Sequence, residues 1–256
     1  MVWSRQDAAA RYSASAEAYA ATMAPSLRPV AAEVVRRAAL RPGERVLDAG
    51  TGTGIAAAGA VGDGREVVGV DAAEGMLAIA QREVPDVRFV QADFGAMPFA
   101  DAIFDVVLAA HAILFAADRV AVLHELRRVA RDGGRLSVSV PGPRATTMAP
   151  LYEPIYRSFG LEPSRDYPTA GELAGWAADA GWQEPATAAD PATSIVLQDA
   201  AAYETWLRVG SGGSATRDWP PERRAALEAA LRDATPRNGG GAFRLPFGTL
   251  YLTARR

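Results

Sequence analysis

The stretch Val46-Leu47-Asp48-Ala49-Gly50-Thr51-Gly52-Thr53-Gly54 decides the fold of this chain. It reads as a short apolar strand, a turn with three glycines and the start of an alanine-rich helix. A second apolar strand, Val67-Val68-Gly69-Val70, ends at Asp71, and a third, Val87-Arg88-Phe89-Val90, leads to Asp93-Phe94. Strands that alternate with helices form parallel sheets whose carboxyl ends share one edge. These strand ends are therefore predicted to form a single rim.

The alternation of short β-rich runs and helical segments continues to about residue 140, and further strand patterns follow. It predicts an α/β fold: a doubly wound, Rossmann-like, seven-stranded and mostly parallel sheet with helices on both faces. The predicted strands are residues 45–49, 66–70, 87–91, 104–109, 135–140, 193–198 and 248–253, and the helices between the first five are residues 54–60, 74–83 and 118–130.

Two flanking segments are predicted to cover this sheet. Residues 4–39 have helical spacing of apolar side chains, and Pro25 and Pro29 are expected to divide them into two helices. A stretch rich in proline, tyrosine and methionine at 142–168 is expected to form a cap after the fifth strand. The expected organisation is a helical cover at 1–40, a core at 41–141, and a cap with the last strands at 142–256. Further predicted features are helices at 169–181, 199–208 and 220–233 and a glycine-rich link at 210–213.

Composition excludes several chemistries. The chain has no cysteine, and all of its 27 basic residues are arginine. Thiol nucleophiles, Walker-type phosphate loops and lysine Schiff bases are therefore excluded, and we identify no metal-ligand set. The net charge of −3, without an arginine cluster, predicts no nucleic-acid partner. The longest apolar run, 106–117, is too short for a bilayer and the N-terminus lacks signal-peptide features, so we expect a cytoplasmic protein without a membrane partner.

The residues of the rim suit a nucleoside. Glycines in the turn allow the backbone to approach a ligand closely and to adopt conformations closed to other residues. The Asp71 carboxylate, at the tip of the second strand, can accept hydrogen bonds from two ribose hydroxyls. Asp93 can accept from an exocyclic amine, and Phe94 can pack on a purine face. In an open parallel sheet, ligands bind in the crevice at the carboxyl ends where the strand order reverses.

The order of these motifs resembles one known family. The turn has the pattern Gly-x-Gly-x-Gly, and dinucleotide-binding turns have Gly-x-Gly-x-x-Gly. The Gly-x-Gly-x-Gly turn of this chain is similar to the first motif of the class I S-adenosylmethionine-dependent methyltransferases, of the small-molecule, methyltransferase-11-like type. The resemblance runs from about Arg41 to Pro141. Segments that resemble the family's motifs follow in order at residues 42–50, 71–77, 93–99, 104–107 and 131–136.

The resemblance implies that S-adenosylmethionine is the cofactor and S-adenosylhomocysteine the product. It also implies which positions surround each part of the cofactor. These are Asp48, Gly50 and Gly52 for the amino-acid end, Asp71, Ala72 and Met76 for the ribose and adenosine, Asp93 and Phe94 for adenine, Ala110 and His111 near the sulfonium, and Tyr12 or Tyr19 over the methionine portion. Ala49, Thr51 and Ala92 are expected to bind the cofactor as well.

His111 is the candidate general base, because an imidazole with a pKa near 6.5 can take a proton from a phenol, an alcohol or an acidic carbon. His124 lies in a helical pattern and is expected to be exposed. Many quinone- and small-molecule-modifying members of the family carry a His-His pair where this chain has Leu114-Phe115, and these two residues are expected to form an apolar wall. An alternative interpretation stays open for each of these candidates. For His111, Phe94 and the two tyrosines the alternative is a packing role, and for Asp71 it is a role as a helix N-cap.

The preferred substrate is a small, largely apolar biosynthetic intermediate, such as a polyketide or aromatic secondary metabolite, with oxygen as the favoured methyl acceptor over nitrogen or carbon. Aromatic residues of the cap are expected beside the pocket, and the protein is expected to be a monomer or a homodimer. Three alternatives remain open: an enzyme of this fold that catalyses cyclisation or rearrangement with a structural cofactor, a non-catalytic S-adenosylmethionine-binding protein, and a nicotinamide-dependent oxidoreductase. The cap residues in question are Met148, Tyr152, Tyr156, Phe159 and Tyr167.

Overall fold

A computed structural model describes residues 5–162, 167–209, 216 and 218–256 of the chain. The glycine-rich link predicted at 210–213 lies outside these described residues. The strands are β1 (Arg45–Ala49), β2 (Glu66–Asp71), β3 (Arg88–Gln91), β4 (Phe104–Ala110), β5 (Ala130–Pro141), β6 (Gln183–Asp190), β7 (Ser194–Leu197), β8 (Phe243–Pro246) and β9 (Thr249–Arg255). Among the described residues, no helix combines the length and the apolar character needed to cross a membrane.

The helices flank this sheet in chain order. They are α1 (Arg5–Ala14), α2 (Ala16–Thr22), α3 (Ala24–Arg37), α4 (Ile55–Ala60), α5 (Glu74–Glu83), α6 (Arg119–Val129), α7 (Ala149–Ser158), α8 (Ala170–Asp179), α9 (Ala200–Val209) and α10 (Pro221–Ala234), with short 3-10 turns at Ile113–Phe115 and Arg144–Thr146.

The main sheet has seven strands in the order β3-β2-β1-β4-β5-β9-β6. Strands β1 to β5 are parallel, and β9 pairs antiparallel with both β5 and β6. The strand order reverses between β1 and β4, so the carboxyl ends of β1, β2 and β4 meet at one crevice. The predicted doubly wound, seven-stranded and mostly parallel sheet is confirmed.

At the C-terminal side one strand was assigned to the wrong sheet, and one strand of the main sheet was not predicted. The segment predicted as the sixth strand forms β7, which pairs with β8 in a separate two-stranded sheet. The sixth position belongs to β6, whose sequence Gln-Glu-Pro-Ala-Thr-Ala-Ala-Asp lacks large β-branched residues. Within the described part of the chain this edge strand pairs with β9 alone, and β9 supplies the hydrogen bonds that the composition of β6 does not favour.

The N-terminal segment contains three helices, and the two prolines do not divide it. Pro25 lies in the first turn of α3, where a backbone N–H is not used by the helix, and Pro29 removes one hydrogen bond without ending α3. The breaks fall at Ser15, whose hydroxyl donates to Arg11 O at 2.8 Å, and at Met23. The breaks at Ser15 and Met23 therefore separate α1, α2 and α3 into three helices.

Close contact with α5 fixes α1 and α2 over the crevice. The Gly75 N–H donates to Ser13 Oγ at 3.2 Å, and a Cβ at position 75 would lie 2.4 Å from Ser13 O. Glu17 pairs with Arg82 at 3.0 Å on the exposed side of the same contact. Only glycine at position 75 therefore permits this approach of α1, which brings Tyr12 towards the sheet edge.

Candidate functional site

The glycine turn after β1 has the backbone that its sequence predicts. Gly50, Gly52 and Gly54 have φ angles of 70°, 55° and 82°, in the left-handed region that favours glycine. The Gly50 N–H donates to Val70 O at 2.8 Å, which ties the turn to β2. A Cβ at position 50 would lie 2.4 Å from the Cβ of Ala112, so the turn passes directly beneath the segment that follows β4. Glycine at position 50 is required by both conformation and space.

Asp71 connects the ends of β1 and β2. Its Oδ2 accepts from the Gly52 N–H at 2.8 Å and its Oδ1 accepts from the Ala73 N–H at 2.9 Å. Burial raises the pKa of Asp71 above its ordinary value, against the opposing effect of these backbone donors. Each carboxylate oxygen has two lone pairs, so each can accept one further hydrogen bond from a ligand.

Asp48 lies deeper, at the end of β1, and is 1% exposed. Its Oδ2 accepts from the Thr51 hydroxyl at 2.6 Å and from the Ala57 N–H at 3.0 Å. Its Oδ1 is buried and has no hydrogen-bond partner among the residues that the structure describes. Burial is the main cause that raises the pKa of Asp48 to about 6. A buried carboxylate oxygen without a partner is costly and suits a site completed by a polar or cationic ligand.

The raised pKa of Asp48 predicts a pH-dependent effect of Asp48→Asn on the free protein. The unfolded pKa is about 3.9 and the folded pKa about 6, so the stability that this group contributes at acidic pH is lost as pH rises through that interval. Relative to wild type, the asparagine variant should gain free energy of unfolding between about pH 4 and pH 6 and remain level above about pH 7. Urea unfolding across this range measures the difference.

The control for this experiment is Asp86→Asn, because Asp86 is exposed. An asparagine at position 48 keeps an acceptor towards Thr51 and Ala57 but carries no titrating charge. The free-energy cost of packing asparagine at position 48 is therefore the same at every pH. Only the change with pH of the difference in unfolding free energy reports the burial of the Asp48 carboxylate. A difference between Asp48→Asn and wild type that does not vary with pH would contradict the raised pKa.

One cavity lies over these strand ends, and most of the predicted site residues line it. The structure brings together Tyr12, Tyr19, Gly50, Asp71, Ala72, Met76, Asp93, Phe94, Ala110 and His111. The other predicted residues do not line the cavity: Asp48, Ala49, Thr51, Gly52 and Ala92. Gly52 and Ala92 contact Asp71 through their N–H groups, the latter at the Asp71 carbonyl oxygen at 3.1 Å. Their individual roles towards a ligand stay predictions.

The cavity has apolar walls that sequence reasoning found only in part. Phe115 lines it, as expected for an apolar wall, and is 42% exposed; its neighbour Leu114 packs against the core. Phe247, between β8 and β9, has no signal in its local sequence that assigns it to the cavity. The other lining residues that the sequence did not indicate are Ala8, Ala9, Met23, Leu27, Ala73, Ala112 and Pro141.

The aromatic residues predicted to extend from the cap to the pocket do not line this cavity. Tyr152 is buried in the core, and its hydroxyl bonds with those of Tyr203 at 2.8 Å and Thr235 at 2.5 Å. Tyr156, Phe159 and Met148 pack against the same core cluster. This prediction was wrong because Tyr152 of α7 packs against Tyr203 and Trp206 of α9 and bonds to Thr235 at the end of α10. Tyr167 is half-buried and is also absent from the cavity wall.

Two tyrosines of the N-terminal helices form an aromatic group with Phe115. The Tyr12 ring contacts Tyr19 and Phe115 edge to face, at centroid distances of 6.0 Å and 5.4 Å. Burial raises the pKa of Tyr19, so this hydroxyl stays protonated at neutral pH. The group closes one side of the cavity with neutral aromatic surface.

His111 directly follows β4 and has a φ angle of 55°, which is unusual for a residue other than glycine. Its N–H donates to Ser139 O at 2.9 Å, with Ser139 Oγ at 3.1 Å. The ring stacks on Phe247 with centroids 5.2 Å apart and an angle of 22° between the planes. Its Nε2 lies 3.4 Å from Thr249 Oγ1. His124, as expected, is exposed on α6.

The fold and the crevice define an α/β protein of the doubly wound class that binds a nucleoside-containing cofactor. A methyltransferase-domain family profile matches residues 47–138. Demethylmenaquinone methyltransferase of Renibacterium salmoninarum is 35% identical over 161 residues, which cover 56% of this chain and 68% of that protein. The chain belongs to the class I S-adenosylmethionine-dependent methyltransferase family, a family of enzymes whose cofactor is S-adenosylmethionine.

Two further proteins are similar to this chain in sequence or in fold. Demethylmenaquinone methyltransferase of Beutenbergia cavernae is 46% identical over 99 residues, which span 39% of this chain and only 41% of that relative's length. Phosphoethanolamine N-methyltransferase 2 of Haemonchus contortus, solved with phosphomonomethylethanolamine and S-adenosylhomocysteine, has the same fold with a TM-score of 0.58 and 16% identity. That likeness covers 89% of this chain and 52% of the other.

The crevice fits this cofactor on its own geometry. Asp71 can accept two further hydrogen bonds, and Asp48 Oδ1 is buried without a partner among the described residues. Gly50 leaves no room for a side chain where the turn meets Ala112. The two carboxylates suit a ligand that carries a vicinal diol and a positive charge.

Proposed function

We propose that this protein transfers a methyl group from S-adenosylmethionine to a small, neutral and largely apolar acceptor, with an acceptor oxygen favoured. One observation carries the proposal. The cavity has carboxylates at one end, Asp71 and Asp93, and a histidine on an aromatic wall at the other, His111 stacked on Phe247. The polar end suits the adenosyl group, and the apolar end suits an acceptor whose reacting proton is taken by an imidazole.

The proposed contacts of the cofactor follow the order of the strand ends. Asp71 accepts the ribose hydroxyls, because it has an acceptor position left on each oxygen. Asp93 and Phe94, which follow β3, contact the adenine, and Ala72 and Met76 flank the adenosine. The amino-acid end is held at the glycine turn by Asp48, Ala49, Gly50, Thr51 and Gly52, with Ala92 behind Asp71 and with Tyr12, Tyr19 and Ala110 nearest the methionine portion.

The acceptor end of the cavity is contributed by segments outside the cofactor-binding core. Met23 lies between α2 and α3, Leu27 is in α3, and Phe247 precedes β9. This supports the proposed division into a core at 41–141 and covering segments at 1–40 and 142–256. No arginine is among the described residues that line the cavity, so nothing there would neutralise a phosphate or a carboxylate of the acceptor. An uncharged acceptor is therefore favoured.

When bound, S-adenosylmethionine supplies a methyl group that is already activated by the sulfonium charge. The protein then has to hold the acceptor oxygen in line and to take its proton. We assign the second task to His111, which lines the cavity. The imidazole would take the hydroxyl proton of the acceptor, and the methyl group that the cofactor would supply replaces that proton on the oxygen. The apolar walls exclude water, which would otherwise compete for the proton and the methyl group.

Calorimetry and a product assay test the proposal together. S-adenosylhomocysteine should bind with a dissociation constant in the micromolar range, about −8 kcal/mol, and NADH should not bind. The acceptor panel should include a reduced demethylnaphthoquinone, because two relatives are named demethylmenaquinone methyltransferases. It should also include neutral phenols and their carboxylated analogues. S-adenosylhomocysteine should form in step with methylated product from the neutral acceptors and not from the carboxylated ones.

The alternatives predict other outcomes of the same assays. A cyclase or rearrangement enzyme would convert a substrate without forming S-adenosylhomocysteine. A non-catalytic protein would bind the cofactor and turn over nothing on the panel. Binding of NADH in place of S-adenosylhomocysteine would reject the proposal at its first step.

A further inference from the structure

The lining residues of the cavity follow the order of the strands along the sheet edge. Five of them end or follow the parallel strands, and a sixth precedes β9, which begins at the same edge because it runs antiparallel to β5. Neighbouring strands lie about 4.8 Å apart, so the strand order gives the order of these residues along the cavity. From β3 to β9 they are Asp93, Asp71, Gly50, Ala110, Pro141 and Phe247.

The part of the cavity between β4 and β9 is left for the acceptor. The contacts proposed above place the adenine over β3, the ribose over β2 and the amino-acid end at the turn after β1. Strands β4 and β9 are separated by β5 alone, so two strand spacings, about 10 Å, separate them. The walls of this part are apolar and consist of Ala110, Pro141 and Phe247 along the edge, with Met23 and Leu27 from the N-terminal cover.

Phe247 is the last of these residues along the edge. It is only 4% exposed, its ring stacks on His111, and it belongs to the same core cluster as Leu27. None of the described residues that line the cavity comes from β6, the next strand of the sheet. The ring of Phe247 therefore closes the acceptor part of the cavity at its far end.

Backbone contacts fix the position of Phe247 from two sides. Its N–H donates to Thr193 O, in the turn between β6 and β7, at 2.9 Å. The next residue, Gly248, donates to Thr146 O at 2.9 Å and accepts from the Gly142 N–H at 2.7 Å. A Cβ at position 248 would overlap the Thr146 side chain. The chain at Phe247 cannot move away from the cavity without breaking these contacts, so the ring forms a fixed wall.

We propose that Phe247 is a specificity-determining residue that limits the length of the acceptor along the sheet edge. The acceptor class is then a compact neutral ring system that fits between the ends of β4 and β9, and longer ring systems collide with Phe247. The inference rests on the function proposed above, because that function places the cofactor over β1 to β3. It adds to that function an upper limit on acceptor length and the residue that sets the limit.

Two phenols of different length test the proposal by binding alone. The probes are 2-naphthol, with two fused rings, and 4-phenylphenol, with two rings joined end to end and therefore longer. Each is titrated by calorimetry into the full chain saturated with S-adenosylhomocysteine. The variants are Phe247→Ala and Phe247→Leu. The control is Phe159→Ala, which removes the same side chain from a half-buried position outside the cavity. Affinity for S-adenosylhomocysteine reports whether each variant keeps a folded cofactor site.

Wild type and Phe159→Ala should bind 2-naphthol more tightly than 4-phenylphenol by about tenfold or more, the discrimination typical of a close-fitting apolar pocket. Phe247→Ala should abolish or reverse this preference, and Phe247→Leu should reduce it. Affinity for S-adenosylhomocysteine should not change. If the alanine variant does not bind S-adenosylhomocysteine, the leucine variant alone decides. Equal binding of both phenols by wild type, a wild-type preference in the deciding variant, or no binding of either phenol would overturn the proposal.

The binding test fails separately from the proposed function. If no acceptor is methylated but the preference between the two phenols changes as expected, Phe247 still limits the length of the bound ring system, and methyl transfer alone is rejected. If methyl transfer is found and the Phe247 variants keep the wild-type preference, the specificity role is rejected, and the proposed function stands.

Discussion

Replacement of His111 by alanine is expected to lower the rate of methyl transfer by about 10²–10⁴-fold, the contribution typical of a general base. The imidazole lines the cavity beside the aromatic wall, where the acceptor is proposed to bind. Because it does not take part in the proposed ribose or adenine contacts, affinity for S-adenosylhomocysteine should change little. The rate of S-adenosylhomocysteine formation from a reduced naphthoquinone or a neutral phenol, together with calorimetry, measures both quantities.

A second variant at position 111 is needed because the backbone there has a positive φ angle. His111 has a φ angle of 55°, and alanine is strained in that region by about 1–2 kcal/mol, whereas asparagine tolerates it. His111→Asn should therefore lose as much activity as His111→Ala but retain more stability. His124→Ala, on the exposed face of α6, is the control and should keep full activity. Activity in both His111 variants close to that of wild type would return His111 to a packing role.

Replacement of Asp71 by alanine is expected to weaken binding of S-adenosylhomocysteine by about 1–3 kcal/mol, the cost of leaving buried polar groups without partners. This corresponds to a loss of affinity between roughly fivefold and a hundredfold or more. Two losses combine. The ribose hydroxyls lose their proposed acceptor, and the N–H groups of Gly52 and Ala73 lose theirs. Calorimetric titration of S-adenosylhomocysteine into wild type and variant gives the difference directly.

Two further variants help to separate the loss of the ribose contact from the loss of the backbone contacts to Gly52 and Ala73. Asp71→Asn keeps one acceptor oxygen and should have intermediate affinity. Asp86→Ala, which removes an exposed carboxylate from the turn before β3, should bind like wild type and corrects for the change in net charge. The N-cap of α5 is Ala73, so the helix-cap alternative for Asp71 was wrong. If Asp71→Ala binds S-adenosylhomocysteine as tightly as wild type, Asp71 only holds the turns at Gly52 and Ala73 and has no direct contact with the cofactor.

The electrostatics of the site explain why two carboxylates are tolerated there. Burial raises the pKa of both Asp48 and Asp71, so neither charge is stabilised by the protein alone. No arginine is among the described residues that line the cavity. The positive charge of S-adenosylmethionine would supply what the protein lacks, and S-adenosylhomocysteine, without the sulfonium charge, would supply less of it. This difference favours exchange of product for fresh cofactor.

The first half of the sheet and the cofactor end of the cavity were predictable from the sequence because both depend on local patterns. Strands β1 to β4 are short apolar runs, and each is followed at once by the residues that matter: the turn at Gly50, Asp71, Asp93 and His111. Parallel strands bring such ends to one edge without any further information. The order of the motifs also sufficed to indicate the family.

Elements whose partners are distant in the chain could not be predicted in this way. Strand β6 has little intrinsic preference for extended structure and is ordered by its pairing with β9. The aromatic residues of α7 have the composition of a binding surface, yet Tyr152 is buried against Tyr203 and Thr235. Which face of α7 meets α9 and α10 is decided by packing across residues that lie far apart in sequence.

The sequence by itself determined the class of fold, the glycine turn and the acidic residues after the strands, since side-chain spacing and glycine geometry act within a few residues. Only the tertiary structure decided what surrounds His111. Phe247 and Thr249 reach it because the last strand enters the sheet antiparallel and so begins at the edge where the parallel strands end. That direction follows from the pairing of β9 between β5 and β6, which no local pattern in the chain encodes.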